Sequence, residues 1–419
     1  MNGNLKMINQ EHKEFLKTEI GRKWIIEKSL EVTPKDQNWQ SFHTPYDLCE
    51  KMISKTNVSN KSILVLFNIE FLEVLIHKFG ILSKNITFLA DCRLESELAN
   101  KKYRVNCIVI NKDNIWETLK EMKNFDLCFS NPPYNNQLDL KILELIYVLC
   151  DEIVIVHPAL WLLDQDETSW ISRRKIFENK IKSIDVFQPN IEFEIAMRSP
   201  WGCICHIDKN YNSTEITYKY MNDNPFQCYG IENITKYGSK WQQFVLPLLN
   251  NIEYYKKVNR RKSIIDHCYN VNNITISPSK YYVQLAKRTG TTTGTKNDSI
   301  SINKLSGVRH DFYTIITKSD ICKGIRNYGN DYLTFEFTSE SEQLNFIEYL
   351  KTYFCRFVYS IYKFWNTGFK DSYFRYIPWM DFTKNWNDQK LYTLFQINEE
   401  FQNFIELYLF DYYELRNKS

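Results

Sequence analysis

The chain has 419 residues, a formal net charge of +3 and a hydrophobic content of 43%. This length predicts two domains, each able to bury a sizeable core. No run approaches the roughly 18 apolar residues that a membrane helix needs, and the N-terminus does not resemble a signal peptide, so we expect a cytoplasmic protein without a membrane partner. The 11 cysteines lack disulfide or zinc spacing, which predicts reduced thiols and no metal site.

The predicted elements begin with a helical extension over residues 1–40 and continue as an α/β domain over residues 41–225. Helix-length amphipathic segments, residues 69–79 and 114–123, lie between short apolar runs. Strands that alternate with helices in this way predict βαβ units and a parallel sheet. The predicted strands are Ser62–Phe67, Ile86–Asp91, Asn106–Ile110, Phe125–Ser130 and Ile153–Pro158.

The sequence Asn131-Pro132-Pro133-Tyr134 directly follows the fourth predicted strand. The two prolines donate no backbone hydrogen bond and fix φ, so they form a rigid corner at the strand end. The Asn131 side-chain oxygen and the Pro132 carbonyl can each accept one N–H of an exocyclic amine, while Tyr134 can stack on the attached ring. This motif therefore indicates a site for a planar substrate that carries an NH2 group.

The order of these features resembles the gamma-type N6-adenine DNA methyltransferases, over roughly residues 40–210. The resemblance implies a Rossmann-like methyltransferase sheet domain followed by an α+β domain that recognises the DNA target. It also implies that Asn131, Pro132 and Tyr134 are catalytic and that the target adenine is flipped out of the duplex. Phe187 and Phe193 are candidates for a second aromatic ring against the flipped base. A bacterial, phage or viral origin is a further implication.

S-adenosylmethionine (AdoMet) is the cofactor that the resemblance implies. Thr44 and Pro45 match the segment that closes over the methionine end of AdoMet in this family. Asp91 matches the acid that hydrogen-bonds the ribose, and Asp113 matches the residue that reads the cofactor's adenine amino group. Asp91, Asp113 and Asn131 all fall just past the ends of predicted strands, where ligands bind in parallel sheets.

The turn after the first strand departs from the family pattern. The family has an acidic residue and a Gly-x-Gly turn here, whereas Leu66–Phe71 contains no glycine. Phe67 and Asn68 must then supply a turn that normally needs a positive φ, which asparagine tolerates better than most residues. We expect a remodelled loop in which Asn68 and Glu70 contribute polar contacts; the alternative is a decayed AdoMet pocket.

A second domain is predicted over residues 240–419, with an early helix, a basic β-rich part and aromatic helices. A Thr/Gly-rich loop in the basic part, residues 289–295 with their flanking cations, offers the hydroxyls, amides and charges that contact phosphates. A solvated hairpin tip is the alternative for this loop. Its candidate DNA-binding residues are Lys287, Arg288, Thr291, Thr292 and Lys296.

These features together predict a site-specific adenine N6 methyltransferase that acts on double-stranded DNA. Two alternatives stay open: a catalytically silent DNA-recognition subunit, and an RNA adenine N6-methyltransferase. Glutamine methyltransferases share the tetrapeptide, but they usually lack a large C-terminal recognition domain. The sequence leaves open whether a separate restriction endonuclease is a partner, and it does not indicate an oligomeric state.

Overall fold

The computed structural model describes residues 44–91, 93–111, 113–134, 137–163, 168–193, 201–268, 279–286, 321–323, 332–361 and 374–417. These residues form two compact units, with the division between Ser239 and Lys240. The predicted extension over residues 1–40 lies outside the described residues. No helix in the described ranges is long and apolar enough to cross a membrane.

The first unit contains a nine-stranded sheet in the order β3-β2-β1-β4-β5-β7-β6-β8-β9. The five predicted strands are confirmed as β1 to β5, and four further strands extend the sheet. The strands are β1 (Ile63–Leu66), β2 (Ile86–Ala90), β3 (Asn106–Val109), β4 (Phe125–Ser130), β5 (Cys150–Pro158), β6 (Ile181–Phe187), β7 (Gly202–Asp208), β8 (Glu215–Tyr220) and β9 (Phe226–Tyr229).

Helices connect these strands, as the amphipathic spacing predicts. The second and third helices each continue into a π-helical turn, Val74–Lys78 and Ala99–Tyr103 respectively. The helices are α1 (Tyr46–Ile53), α2 (Glu70–Glu73), α3 (Arg93–Leu98), α4 (Ile115–Glu121), α5 (Leu138–Leu149), α6 (Leu160–Leu163), α7 (Thr168–Ile176) and α8 (Pro189–Glu192).

The strand pairing gives the sheet a Rossmann-like topology. β1 pairs in parallel with both β2 and β4, and the strand order reverses at β1: the chain adds β2 and β3 on one side of it and β4 and β5 on the other. β7 is antiparallel to β5 and to β6. All four residues of β1 are buried, as expected for a strand covered on both faces, whereas the edge strand β3 is partly exposed. In open α/β sheets, ligands bind beside such a reversal of the strand order, at the carboxyl ends of the strands.

The second unit contains a three-stranded antiparallel sheet and several helices. The predicted early helix, β-rich part and aromatic helices are all present among its described residues. The strands, in the order β11-β10-β12, are β10 (Tyr281–Ala286), β11 (Ile321–Lys323) and β12 (Tyr332–Phe337). The helices are α9 (Leu246–Val258), α10 (Glu340–Lys351), α11 (Tyr353–Ile361), α12 (Asp388–Leu394) and α13 (Glu399–Asn417).

The sheet of the first unit continues past residue 225. The polar stretch 210–224 contains β8, which pairs in parallel with β6, and the sheet ends only at Tyr229. Apolar positions inside this polar segment explain the pairing, because Ile216 and Tyr218 alternate on the buried side of β8.

Candidate active site

The candidate catalytic motif lies at the carboxyl end of β4, beside the reversal point of the sheet. The last residue of β4, Ser130, pairs with Leu66 on β1 and with Ile155 on β5. Asn131 follows directly and is fully buried, while Tyr134 is half-buried. The fold therefore fixes the backbone before the motif from both sides and places the motif at the point where ligands bind in such sheets.

Two residues that were predicted to bind the cofactor contact Asn131. The Asn131 side-chain Nδ2 donates to Oγ1 of Thr44 at 2.8 Å. The Asn68 side chain links the two chain segments: its Nδ2 donates to the backbone oxygen of Asn131 at 3.3 Å, and its Oδ1 accepts from the backbone N–H of Thr44 at 3.0 Å. All three residues are fully buried. These hydrogen bonds hold the end of β4, the turn after β1 and the segment before α1 together.

The Tyr134 hydroxyl donates a hydrogen bond to Oδ1 of Asn131. The aromatic ring packs against the buried cluster that includes Phe187 and Phe193. Burial, with a further contribution from the nearby carboxylate of Asp139, raises the pKa of Tyr134 well above its ordinary value. The hydroxyl therefore keeps its proton at neutral pH and acts as a donor.

The turn after β1 adopts a positive φ at Phe67. Its φ is 77°, and its backbone N–H donates to the carbonyl of Leu89 on β2 at 3.0 Å. A bulky residue in this region is unusual and costs roughly 1–2 kcal/mol. Asn68, which tolerates positive φ better, does not adopt it. The Phe67 side chain is fully buried, and this burial offsets the backbone strain.

The predicted cofactor carboxylates lie past the ends of three adjacent strands. Glu70 begins α2 after β1 and is buried, Asp91 follows β2 and is half-buried, and Asp113 follows β3 and is exposed. The strand order β3-β2-β1 brings these positions to one edge of the sheet. Carboxylates at this edge fit the ribose hydroxyls and the amino groups of AdoMet, all of which donate hydrogen bonds. Pro45 lies directly before α1, and its carbonyl accepts from Leu48 and Cys49 at 3.0 Å.

A buried polar cluster beside the motif was missed by the sequence analysis. The indole N–H of Trp161 donates to Nδ1 of His157 at 3.0 Å, and Asp139 Oδ2 lies 3.6 Å from the same nitrogen. Burial raises the pKa of Asp139 although His157 opposes this shift. His157 is the penultimate residue of β5, where a histidine ends an apolar run. That position was the one signal in the sequence that could have identified the cluster.

The basic residues of the second unit are described only in part. The candidate DNA-binding residues all lie outside the described residues: Lys287, Arg288, Thr291, Thr292 and Lys296. A second basic cluster lies at the C-terminal end of α9, where Lys257, Arg260 and Lys262 are exposed. Among the described residues no group of His, Cys, Asp or Glu side chains could hold a metal ion.

Comparison with known proteins gives structural neighbours only. No family model and no curated protein matches the chain. A type I restriction-modification methyltransferase subunit from Streptococcus thermophilus aligns at 17% identity over 42% of this chain and 47% of its own, with a TM-score of 0.35.

Two further solved structures align at similar levels. A modification subunit of a putative type I restriction enzyme from Vibrio vulnificus aligns at 14% identity over 50% of this chain and 53% of its own, with a TM-score of 0.36. A putative RNA methyltransferase from Pyrococcus horikoshii aligns at 13% identity over 42% of this chain and 91% of its own, with a TM-score of 0.29. The chain thus spans about half the length of the two type I subunits.

Proposed function

We propose that the protein is a site-specific DNA methyltransferase that uses AdoMet to methylate the N6 amino group of a flipped adenine. The observation that carries this proposal is the position of Asn131-Pro132-Pro133-Tyr134, which begins one residue after β4 at the reversal point of a Rossmann-like sheet. An amide side chain and a carbonyl that follow a strand end in a proline-fixed corner suit the recognition of an exocyclic amine, because each can accept one of its N–H groups.

The residues of the motif act by positioning and by electrostatics. The lone pair of an adenine amine is delocalised into the ring, so the nitrogen is a poor nucleophile. Asn131 Oδ1 and the Pro132 carbonyl accept its two N–H groups, draw the nitrogen toward tetrahedral geometry and stabilise the positive charge that develops. The Tyr134 ring stacks on the base, which must leave the duplex to reach this buried site.

AdoMet is the implied methyl donor. It would supply a methyl group whose C–S bond breaks to leave a neutral thioether, which needs no acid assistance, and the extra proton of the methylated amine would pass to water. Asp91 accepts from the ribose hydroxyls and Asp113 from the adenine amino group of the cofactor. Glu70, Asn68 and the backbone of Thr44 and Pro45 complete the proposed binding site.

The second unit is proposed to recognise double-stranded DNA. Its contacts comprise Lys287, Arg288, Thr291, Thr292 and Lys296, together with the exposed cations at the end of α9. Cations on a surface supply the sequence-independent part of DNA affinity through contacts to phosphates. A separate restriction endonuclease is a further proposed partner.

The test is expression in a methylation-deficient host, followed by sequencing of the plasmid for N6-methyladenine. The wild-type chain is expected to methylate adenines within one recurring sequence, and the Asn131→Ala variant is the matched control for methylation by the host. A plasmid without N6-methyladenine, from cells with folded protein, would contradict the proposal.

A silent DNA-recognition subunit is the second candidate, favoured by the positive φ of Phe67 where the family has glycine. Calorimetric titration with AdoMet separates the two candidates, because a silent subunit with a decayed pocket gives no binding heat. We expect saturable binding with a stoichiometry of one.

A further inference from the structure

The side chain of Asn131 is held at both ends. Its Nδ2 donates to Thr44 Oγ1 at 2.8 Å, and its Oδ1 accepts from the Tyr134 hydroxyl. An asparagine amide can rotate to exchange its oxygen and nitrogen, so its partners decide which atom is presented to a ligand. In this structure the nitrogen points to Thr44 and the oxygen to Tyr134, the residue proposed to stack on the base.

The position of the Thr44 hydroxyl is itself fixed. The backbone N–H of Thr44 donates to Asn68 Oδ1 at 3.0 Å, and Asn68 Nδ2 donates to the backbone carbonyl of Asn131 at 3.3 Å. Thr44 and Asn131 are therefore joined twice, once directly and once through Asn68. All three residues have no exposed surface, so water does not compete for these bonds and each lost bond leaves a buried polar atom without its partner.

We propose that Thr44 is a positioning residue that anchors the Nδ2 end of the Asn131 amide, so that Oδ1 faces the target amine. This inference rests on the proposed function and deepens it. The same residue matches the family segment over the methionine end of AdoMet, so the two roles predict different results. An anchor for Asn131 affects the rate of the chemical step, whereas a cofactor contact affects the affinity for AdoMet.

The experiment compares Thr44→Val with Thr44→Ser. Valine has nearly the shape of threonine but no hydroxyl, while serine keeps the hydroxyl. Single-turnover methylation at saturating AdoMet and DNA is expected to fall about 10- to 100-fold in Thr44→Val and to recover to within about threefold in Thr44→Ser. The AdoMet Kd from calorimetry is expected to stay within about threefold in both variants.

Thr235→Val is the matched control, because Thr235 is also buried in the first unit but contacts no residue of the motif. Its rate is expected to equal that of the wild type. A wild-type rate in Thr44→Val would overturn the inference. So would a weaker AdoMet Kd with an unchanged rate at saturation, since that result makes the Thr44 hydroxyl a cofactor contact.

A second readout does not require activity. The side-chain amide signal of Asn131 in a ¹⁵N-labelled protein, assigned by its loss in Asn131→Ala, reports hydrogen exchange at Nδ2. Exchange is expected to be at least tenfold faster in Thr44→Val than in the wild type or in Thr44→Ser. If the wild type methylates no DNA, the proposed function fails, and the exchange rates still decide the anchor: equal rates in all three proteins would refute it.

Discussion

The turn at Phe67 predicts that the Phe67→Gly variant is more stable than the Phe67→Ala variant. Phe67 is fully buried and has a φ of 77°. Phe67→Ala removes the buried ring and keeps the backbone strain, so it should cost about 3–5 kcal/mol of unfolding free energy. Phe67→Gly loses the same ring but relieves roughly 1–2 kcal/mol of strain, against about 0.5–1 kcal/mol for the extra freedom of an unfolded glycine.

The net expectation is that Phe67→Gly is more stable than Phe67→Ala by about 1 kcal/mol. Phe71 is the matched control, because it is also a fully buried phenylalanine but lies within α2. There the usual order should hold, with Phe71→Ala more stable than Phe71→Gly by about 1 kcal/mol. Urea unfolding of the four variants measures these differences as shifts in the transition midpoint of the first unit.

The stability difference between the alanine and glycine variants is expected to have opposite signs at Phe67 and Phe71. If alanine is more stable than glycine at position 67 as well, the positive φ of Phe67 is refuted, and with it the account of how the chain forms this turn without glycine.

Three further predictions address the cofactor, the DNA and the pH dependence. Asp91→Ala should weaken AdoMet binding by about 1–3 kcal/mol through lost hydrogen bonds to a carboxylate, and an unchanged calorimetric Kd in the folded variant would contradict the ribose role. Replacing Lys287 and Arg288 together with alanine should lower the salt slope of DNA binding by about 2, and an identical slope would mean that this loop does not contact DNA. Although burial alone would raise the pKa of Glu152, hydrogen bonds that include one from His206 lower it below its ordinary value of 4.5. The Glu152 carboxylate therefore stabilises the fold fully above its unfolded pKa, and this stabilisation is lost as pH falls. Glu152→Gln should flatten the loss of stability below about pH 5 in acid unfolding. An unchanged pH profile would contradict the lowered pKa of Glu152.

Local patterns in the sequence were sufficient to predict the sheet and the motif. β1 to β5 are short apolar runs whose period and spacing identify them without any knowledge of their partners. The same apolar pattern predicts that Asn131 directly follows a strand. Asp126 is a structural acid near the start of β4, since its Oδ2 accepts from both the backbone N–H and the hydroxyl of Ser62 at 2.7 Å.

Contacts between distant segments could not be predicted in this way. Thr44 and Asn131 are separated by 87 positions, and no local periodicity reports a hydrogen bond over that distance. The sequence analysis did not identify β8 for a related reason, because its polar residues leave only Ile216 and Tyr218 as an apolar signal. The positive φ of Phe67 is offset by burial of its ring in the tertiary structure. Turn propensities do not include this burial.

The central claim is that Asn131 stabilises the transition state of methyl transfer to adenine N6. Single-turnover methylation of adenine-containing duplexes by Asn131→Ala tests it most directly, with Asn106→Ala on the exposed face of β3 as the matched control. We expect the rate to fall on the order of 10²-fold or more in Asn131→Ala, as for the loss of a comparable polar stabiliser, while AdoMet and DNA still bind. A wild-type rate in Asn131→Ala would contradict the claim and would place the chemistry elsewhere in the chain.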